Sequence, residues 1–275
     1  MTQSTKQTPA AETVHERVQS QFGAAAAAYG TSPVHTDANA LQRVVELVVP
    51  QAKDSALDIA TGAGHTALAL APHVARVIAY DLTREMILET RRNAAARGLA
   101  NVYTQQGPAE KLPFRDASFD IVTVRQAPHH FADVRAAVCE MARVTRPGGR
   151  VVIVDSTAPP GHQNDPELAA QWDRMERLRD PSHVRNYSPS EWRTMVEGAG
   201  LRVFAEENGF ATENGGPMSF DAWVRRINTP QEAVVKLTQL FRNASPALAQ
   251  ALRIEIVEGA IFFCVPVVTI AARKE

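Results

Sequence analysis

Residues 57–64 read Leu57, Asp58, Ile59, Ala60, Thr61, Gly62, Ala63 and Gly64, a short apolar strand that hands over to a glycine turn. Glycines at a strand-to-helix junction let backbone amides approach a ligand that side chains would exclude. The spacing of Gly62, Gly64 and Ala67 also fits the loose dinucleotide fingerprint, and Asp81 ends the next apolar run where an acid gripping ribose hydroxyls is expected. Taken alone, the stretch marks either a nucleotide site or a tight turn with no ligand. Asp58 bears on the choice of ligand. A carboxylate just before the loop repels a pyrophosphate, but it suits a cofactor with a cationic amine and no phosphate. Such an amine would bond Asp58 directly or through water, while the amides of Gly62 and Gly64 approach a carboxylate and the sulfur-bearing tail.

Outward from this loop the pattern alternates. Strands are predicted at 56–60, 74–80, 101–106, 119–124 and 150–155, with helices between them. Thr83 is placed as the cap of a helix whose inner face is Met86, Ile87, Thr90 and Ala94, and Gly98 as its left-handed end. Asp133 caps the helix carrying Val134, Ala137, Val138 and Met141. Alternating strands and helices predict a mostly parallel sheet covered on both faces. Before it, helices are expected over 12–29 and after Asp37, where Leu41, Val44, Val45 and Val48 share a face. After it come a linker at 159–164, a helical stripe of Leu168, Trp172, Met175 and Leu178, and a capping box at Ser188, Pro189 and Glu191. A sixth strand follows at 201–207, then helices from Thr229 and over 246–258, and a last strand at 267–272 entered by Pro266. The division expected is a tail and cap helices over 1–49 and a core over 50–275, with cap insertions at about 159–187 and 210–260.

Composition narrows the function. The 275 residues carry a formal net charge of −1, so no net positive field draws the chain to nucleic acid or an anionic membrane. The apolar run 260–272 is too short for a membrane helix and is broken by Pro266. Residues 1–11 read as a frayed polar tail rather than a signal peptide. Cys139 and Cys264 have neither a zinc nor a redox spacing, which fits a reducing cytoplasm, and no acidic or cysteine partner falls at a metal-motif distance from His129 and His130.

The motifs together resemble the class I S-adenosylmethionine-dependent methyltransferases, in particular the ubiquinone and menaquinone biosynthesis-like group. Phe22, Ala26 and Tyr29 look like its N-terminal pattern, and Asp58, Gly62 and Gly64 its first motif, with Ala60 in place of the usual first glycine. Asp81 matches the ribose-binding acid. Ala109, Glu110, Leu112, Pro113 and Phe114 match the segment after strand three, and residues 146–149 the turn before strand five. The resemblance covers about 22–155 by motif and the rest by order of elements. It implies an α/β, Rossmann-like seven-stranded mostly parallel sheet, order 3-2-1-4-5-7-6 with strand seven antiparallel, plus a helical cap over the acceptor pocket. The cofactor implied is S-adenosyl-L-methionine, with S-adenosyl-L-homocysteine as product, and the partner a small-molecule methyl acceptor bound by a monomer or homodimer. Pro108 stands where family members often carry an aspartate reaching the adenine amino group. Adenine would then rest on the Ala109 amide, on apolar contacts near Leu82, and on Glu110.

Methyl transfer needs the acceptor atom aligned behind the methyl carbon, and a weakly nucleophilic acceptor also needs a base. His129 and His130 follow strand four on the acceptor side and are the candidate bases, His130 being favoured because Phe131 can anchor its turn; the alternative is that the pair forms pocket wall. Arg125 and Gln126 are expected at the amino-acid end of the cofactor, and Tyr29 as a closing aromatic. In the later insertion Trp172, Arg179, His183 and Arg185 are the candidate acceptor contacts. The competing readings are a nicotinamide-dinucleotide oxidoreductase and a non-catalytic cofactor-binding module.

Overall fold

The computed structural model describes residues 12–30, 32, 34–213 and 215–275. The expected tail, residues 1–11, lies outside the described residues. The sheet begins with β1 (Ser55–Ile59), β2 (Arg76–Asp81), β3 (Val102–Gln106), β4 (Phe119–Arg125) and β5 (Thr145–Ser156). It is completed by β6 (Leu201–Ala211) and by β10 (Val265–Lys274), the last strand of the chain. Their order is β3-β2-β1-β4-β5-β10-β6, so β10 takes the place expected for strand seven and runs antiparallel to both β5 and β6. The order reverses between β1 and β4, which pair in parallel with Ile59 opposite Val124. That reversal opens a crevice at the carboxyl ends of the two strands.

Helices cover the sheet because its strands are apolar on both faces, all five residues of β1 being buried. On one side α2 (Ala38–Val48) and α3 (His65–Leu70) bring Val44, Val48, Ala67 and Leu70 against Ala56 and Val152. On the other, α5 (Val134–Val144) and α7 (Pro189–Gly198) bring Val138, Met141 and Trp192 against Leu57, Ile59 and Ile153. The helix α4 (Arg84–Ala96) buries Met86, Ile87, Thr90 and Ala94, as its spacing predicts. Asp37 and Asp133 accept amide bonds as caps, and Ser188 with Glu191 closes a full capping box. Thr83 holds the cap position of α4 without a side-chain cap bond; the acceptor of its amide is Asp81 instead.

A separate apolar core forms the cap. The helix α6 (Pro166–Arg179) contributes Leu168, Trp172 and Met175, which pack with Trp223, Phe241 and Phe263 in a cluster that reaches Val265 at the start of β10. Here the sequence reading needs correction. The helix expected over 246–258 is only α10 (Pro246–Ala251), and the chain then forms β8 (Glu255–Val257) and β9 (Ala260–Phe263). The two-residue turn between them, Glu258 and Gly259, has both φ angles positive, at 50° and 86°. That is the turn geometry a tight hairpin requires. The cap is completed by β7 (Met218–Ser219), which pairs with β9, and by α8 (Phe220–Arg225) and α9 (Gln231–Arg242). Among the described residues no helix is long and apolar enough to cross a membrane.

Candidate active site

The glycine loop is held from below by two aspartates. Asp58, at 1% exposed, accepts bonds from Thr61 Oγ1 at 2.6 Å, Thr123 Oγ1 at 2.7 Å and the Ala67 amide at 3.2 Å. Asp81 accepts the Gly62 amide at 2.8 Å with one oxygen and the Thr83 amide at 2.8 Å with the other. Burial pushes both carboxyls up to about 6, against the opposing pull of these donors. Thr90 Oγ1 donates to the Gly62 carbonyl at 2.8 Å and ties the loop to α4.

Two non-glycine residues with positive φ close the strands at the reversal point, Ala60 at 49° after β1 and Gln126 at 55° after β4. Ala60 thus adopts the left-handed conformation that a glycine at its position would adopt freely, and such stored strain clusters at functional sites. Gly64 is more constrained: its φ is +90°, and an added Cβ would meet Thr90 Cγ2 at 2.8 Å. Gly62, at φ +56°, has open space around it. Gly64→Ala is therefore expected to lose about 1–3 kcal/mol from the backbone alone and more from the clash. Gly62→Ala should lose less. Urea denaturation measures both, and equal midpoints for the two variants would refute this account of the loop.

Above the loop lies a cleft of about 740 Å³, open to solvent included, lined by Asp81, Leu82, Met86, Pro108, Ala109 and Glu110 at one end. Tyr29, Ala60, Arg125, Gln126 and His130 line the other. The helix α1 (Val14–Gly30) roofs it, with Val18 and Phe22 facing in, Gln19 Nε2 donating to the Leu82 carbonyl and Gln21 Nε2 to the Ile227 carbonyl. Glu110 is tied to the cleft wall by the Ala132 amide at 2.9 Å and lies 3.3 Å from His15 Nε2. A side cavity of about 300 Å³ continues from the Tyr29 end to Asp58, Thr66 and Arg125. Arg125 is anchored there by the His35 carbonyl and by Thr66 Oγ1.

A second cavity, about 520 Å³ with its open part, adjoins the first and lies under the cap. Tyr29, His35, Gln126 and His130 line both. The short turn after β4 places His129 and His130 side by side, ring centres 4.1 Å apart. His129 Nδ1 sits 2.6 Å from Asp155 Oδ1, at the end of β5, and 3.2 Å from Ser156 Oγ, while its Nε2 makes no hydrogen bond among the described residues. This contact is not an ion pair at rest. Burial drives His129 down to about 3 and Asp155 up to about 8, so the pair shares its proton in a neutral form. His130 is likewise driven down to about 3 by burial and by His129 beside it. Its Nδ1 lies 3.2 Å from Ser182 Oγ, which gives its own proton to Asp180 at 2.6 Å. His130 Nδ1 must then be the donor, which leaves its Nε2 unprotonated in the neutral ring.

The residues expected to contact the acceptor are dispersed. Arg179 enters the second cavity. His183 stands behind it, its ring 5.6 Å from that of His129 and its Nε2 3.2 Å from Asp173. Trp172 is sealed inside the cap core, stacked 6.0 Å from Trp223. Arg185 is half exposed, bonds Glu191 at 2.6 Å, and lines no part of the cavity. Sequence reasoning missed Asp155, Asp180, Ser182 and Arg226. A signal existed for Asp155 alone: like Asp81 it is an acid at the carboxyl end of a sheet strand.

Comparison with known proteins agrees with this geometry. Residues 57–153 match the family model described as a methyltransferase domain. The uncharacterised methyltransferase YcgJ of Bacillus subtilis is 37% identical over 255 residues, 92% of this chain and 97% of that one. The crystal structure of YcgJ superposes with a TM-score of 0.78 at 38% identity, covering 86% of this chain and 98% of that one. Demethylmenaquinone methyltransferase of Thermus thermophilus is 40% identical over 121 residues, 43% of this chain and 54% of that protein. The cleft has room and chemistry that suit S-adenosylmethionine: the Asp81 carboxylate lies on its wall, and a Cβ on Gly107 would strike Tyr80 Oη at 2.0 Å, so the wall is cut close there. A sheet reversed at the right strands, a full-length methyltransferase relative and a cleft of matching chemistry lead to one conclusion: this chain belongs to the S-adenosylmethionine-dependent methyltransferases.

Proposed function

We propose that the acceptor is a small organic molecule bound in the cavity under the cap, and that His129 with Asp155 removes its proton as the methyl group is transferred. The observation that carries this is the 2.6 Å contact between His129 Nδ1 and Asp155 Oδ1 at the wall of that cavity, which leaves Nε2 as the His129 ring nitrogen without a partner among the described residues. The bound sulfonium supplies an electrophilic methyl carbon. Asp81 holds ribose hydroxyls, Arg125 and the Asp58-braced loop receive the amino-acid tail, and Leu82, Ala109 and Glu110 flank the adenine. Tyr29, Gln126 and His130 stand at the passage between the two cavities and align the acceptor with the methyl carbon. His130 is a positioning residue in this reading, since Ser182 and Asp180 fix its ring. The insertions at 159–187 and 210–260 act as one cover that excludes water. Cys139 and Cys264 are free thiols, which suits a cytoplasmic setting, and the working unit is a monomer or homodimer.

The protonation of the pair sets the pH dependence. With the shared proton in place, His129 Nε2 carries hydrogen and cannot act as a base. Loss of one proton, with Asp155 raised to about 8, leaves Asp155 as a carboxylate accepting Nδ1–H and frees the Nε2 lone pair. His130, His183, Asp180, Arg179 and Asp173 are the other charged or titratable groups acting on these two side chains. Turnover should therefore rise with pH through about 8. Asp155→Asn should flatten that rise and keep cofactor affinity. A profile of the same shape in the folded variant would refute the pairing.

A further inference from the structure

The cavity under the cap contains two guanidinium groups, and their partners do not account for both. Arg179, on α6, donates from Nε to the Trp223 carbonyl at 3.2 Å and lies 4.6 Å above the Trp223 ring. Its Nη1 reaches Glu176 at 3.5 Å, and its Nη2 makes no hydrogen bond among the described residues. Arg226 follows α8 and lines the same cavity. Its side chain makes no hydrogen bond or ion pair among the described residues; Glu213 and Glu176 attract it, but neither lies within the 4.0 Å of an ion pair. The two carboxylates that share the cavity are already engaged. Glu176 meets Arg179, and Asp180 accepts the Ser182 amide at 2.9 Å and the Ser182 hydroxyl at 2.6 Å.

A guanidinium withdrawn from water without an acceptor is costly, and a like charge beside it adds to the cost. Both effects act on Arg226: burial and Arg179 each pull its pKa down. Such an arrangement is complete only when an anion arrives, and the planar fork of arginine matches an oxyanion with two parallel bonds. We infer that the methyl acceptor carries an oxyanion, a carboxylate or a phosphate, which Arg226 binds together with the free edge of Arg179 in the cavity that holds His129. This rests on the reading of that cavity as the acceptor site. It names the substrate class: a small anionic molecule with a weakly acidic position to be methylated, not a neutral apolar one.

Three ring compounds of similar shape test it, benzoate, phenyl phosphate and benzamide, titrated into protein saturated with S-adenosylhomocysteine. The quenching of tryptophan fluorescence is a direct readout, because Trp223 lies beneath Arg179. At least one of the two anions should bind about tenfold or more tightly than benzamide, and which one does so separates a carboxylate acceptor from a phosphate acceptor. Arg226→Met should abolish most of that preference, and Arg226→Lys should keep part of it, with S-adenosylhomocysteine affinity unchanged in both. Equal or absent binding of all three compounds to the wild type, or an intact preference in Arg226→Met with a native melting transition, overturns the inference. Failure to bind S-adenosylhomocysteine would instead count against the methyltransferase reading, so the two failures are distinct.

Discussion

His129→Ala is expected to lower turnover by about 10²–10⁴-fold, the usual contribution of a positioned general base, while S-adenosylmethionine affinity stays unchanged. The reason is geometric. His129 lines the cavity under the cap but not the main cofactor cleft, so its loss removes a proton acceptor without touching the ribose or adenine contacts. His130 lines both, so His130→Ala should weaken turnover and cofactor binding together. The Val184 amide donates to the His129 carbonyl at 2.9 Å, a backbone bond that survives the substitution and keeps the cap segment docked. Release of S-adenosylhomocysteine, measured with an acceptor found by screening small anions, gives the rate. The role of His129 fails if the folded variant turns over at the wild-type rate across pH 6–9. The size of the defect also reports on the acceptor: it grows as the acceptor's own proton becomes harder to remove.

Much of this was legible in the sequence. The sheet was readable because strands buried on both faces leave continuous apolar runs, and because Gly62, Gly64 and Gly98 stand at turns that need left-handed backbone. The residues lining the main cleft were readable for a related reason. Asp81, Ala109 and Glu110, which line the cleft, and Asp58, which lines the side cavity beside it, sit at fixed distances from those strand ends. The cap was less so. Its core joins Trp172 with Trp223 and Phe263, residues far apart in the chain, and short strands such as β8 carry too few residues to show a period. The cavity under the cap was the least legible part, since Arg179, Arg226 and His129 come to line it together only through the docking of that cap. Arg185 shows the limit well: its place in the later insertion made it a candidate acceptor contact, yet it is half exposed and bonded to Glu191 of the adjoining helix.

Asp81 is where the account of the cofactor is most exposed to test. Its two oxygens already hold the Gly62 and Thr83 amides, so the carboxylate is fixed in place before any ligand binds. Ribose hydroxyls donating to it form charge-assisted bonds of about 1.5–3 kcal/mol, and losing them weakens binding roughly 10- to 100-fold. The pH dependence follows from its raised pKa. As pH falls through about 6 the group gains a proton, becomes a poorer acceptor, and the cofactor should bind less tightly. Asp58 titrates in the same range but is bonded to Thr61 and Thr123, so Asp81→Asn should remove most of the change. The decisive measurement is calorimetric titration of S-adenosylhomocysteine into wild-type protein and Asp81→Ala at pH 7.5, with a nicotinamide dinucleotide as control. Saturable binding by the wild type, roughly 10- to 100-fold weaker in the variant and absent for the dinucleotide, is the result predicted. Equal affinity in a folded Asp81→Ala protein, or preference for the dinucleotide, would contradict it.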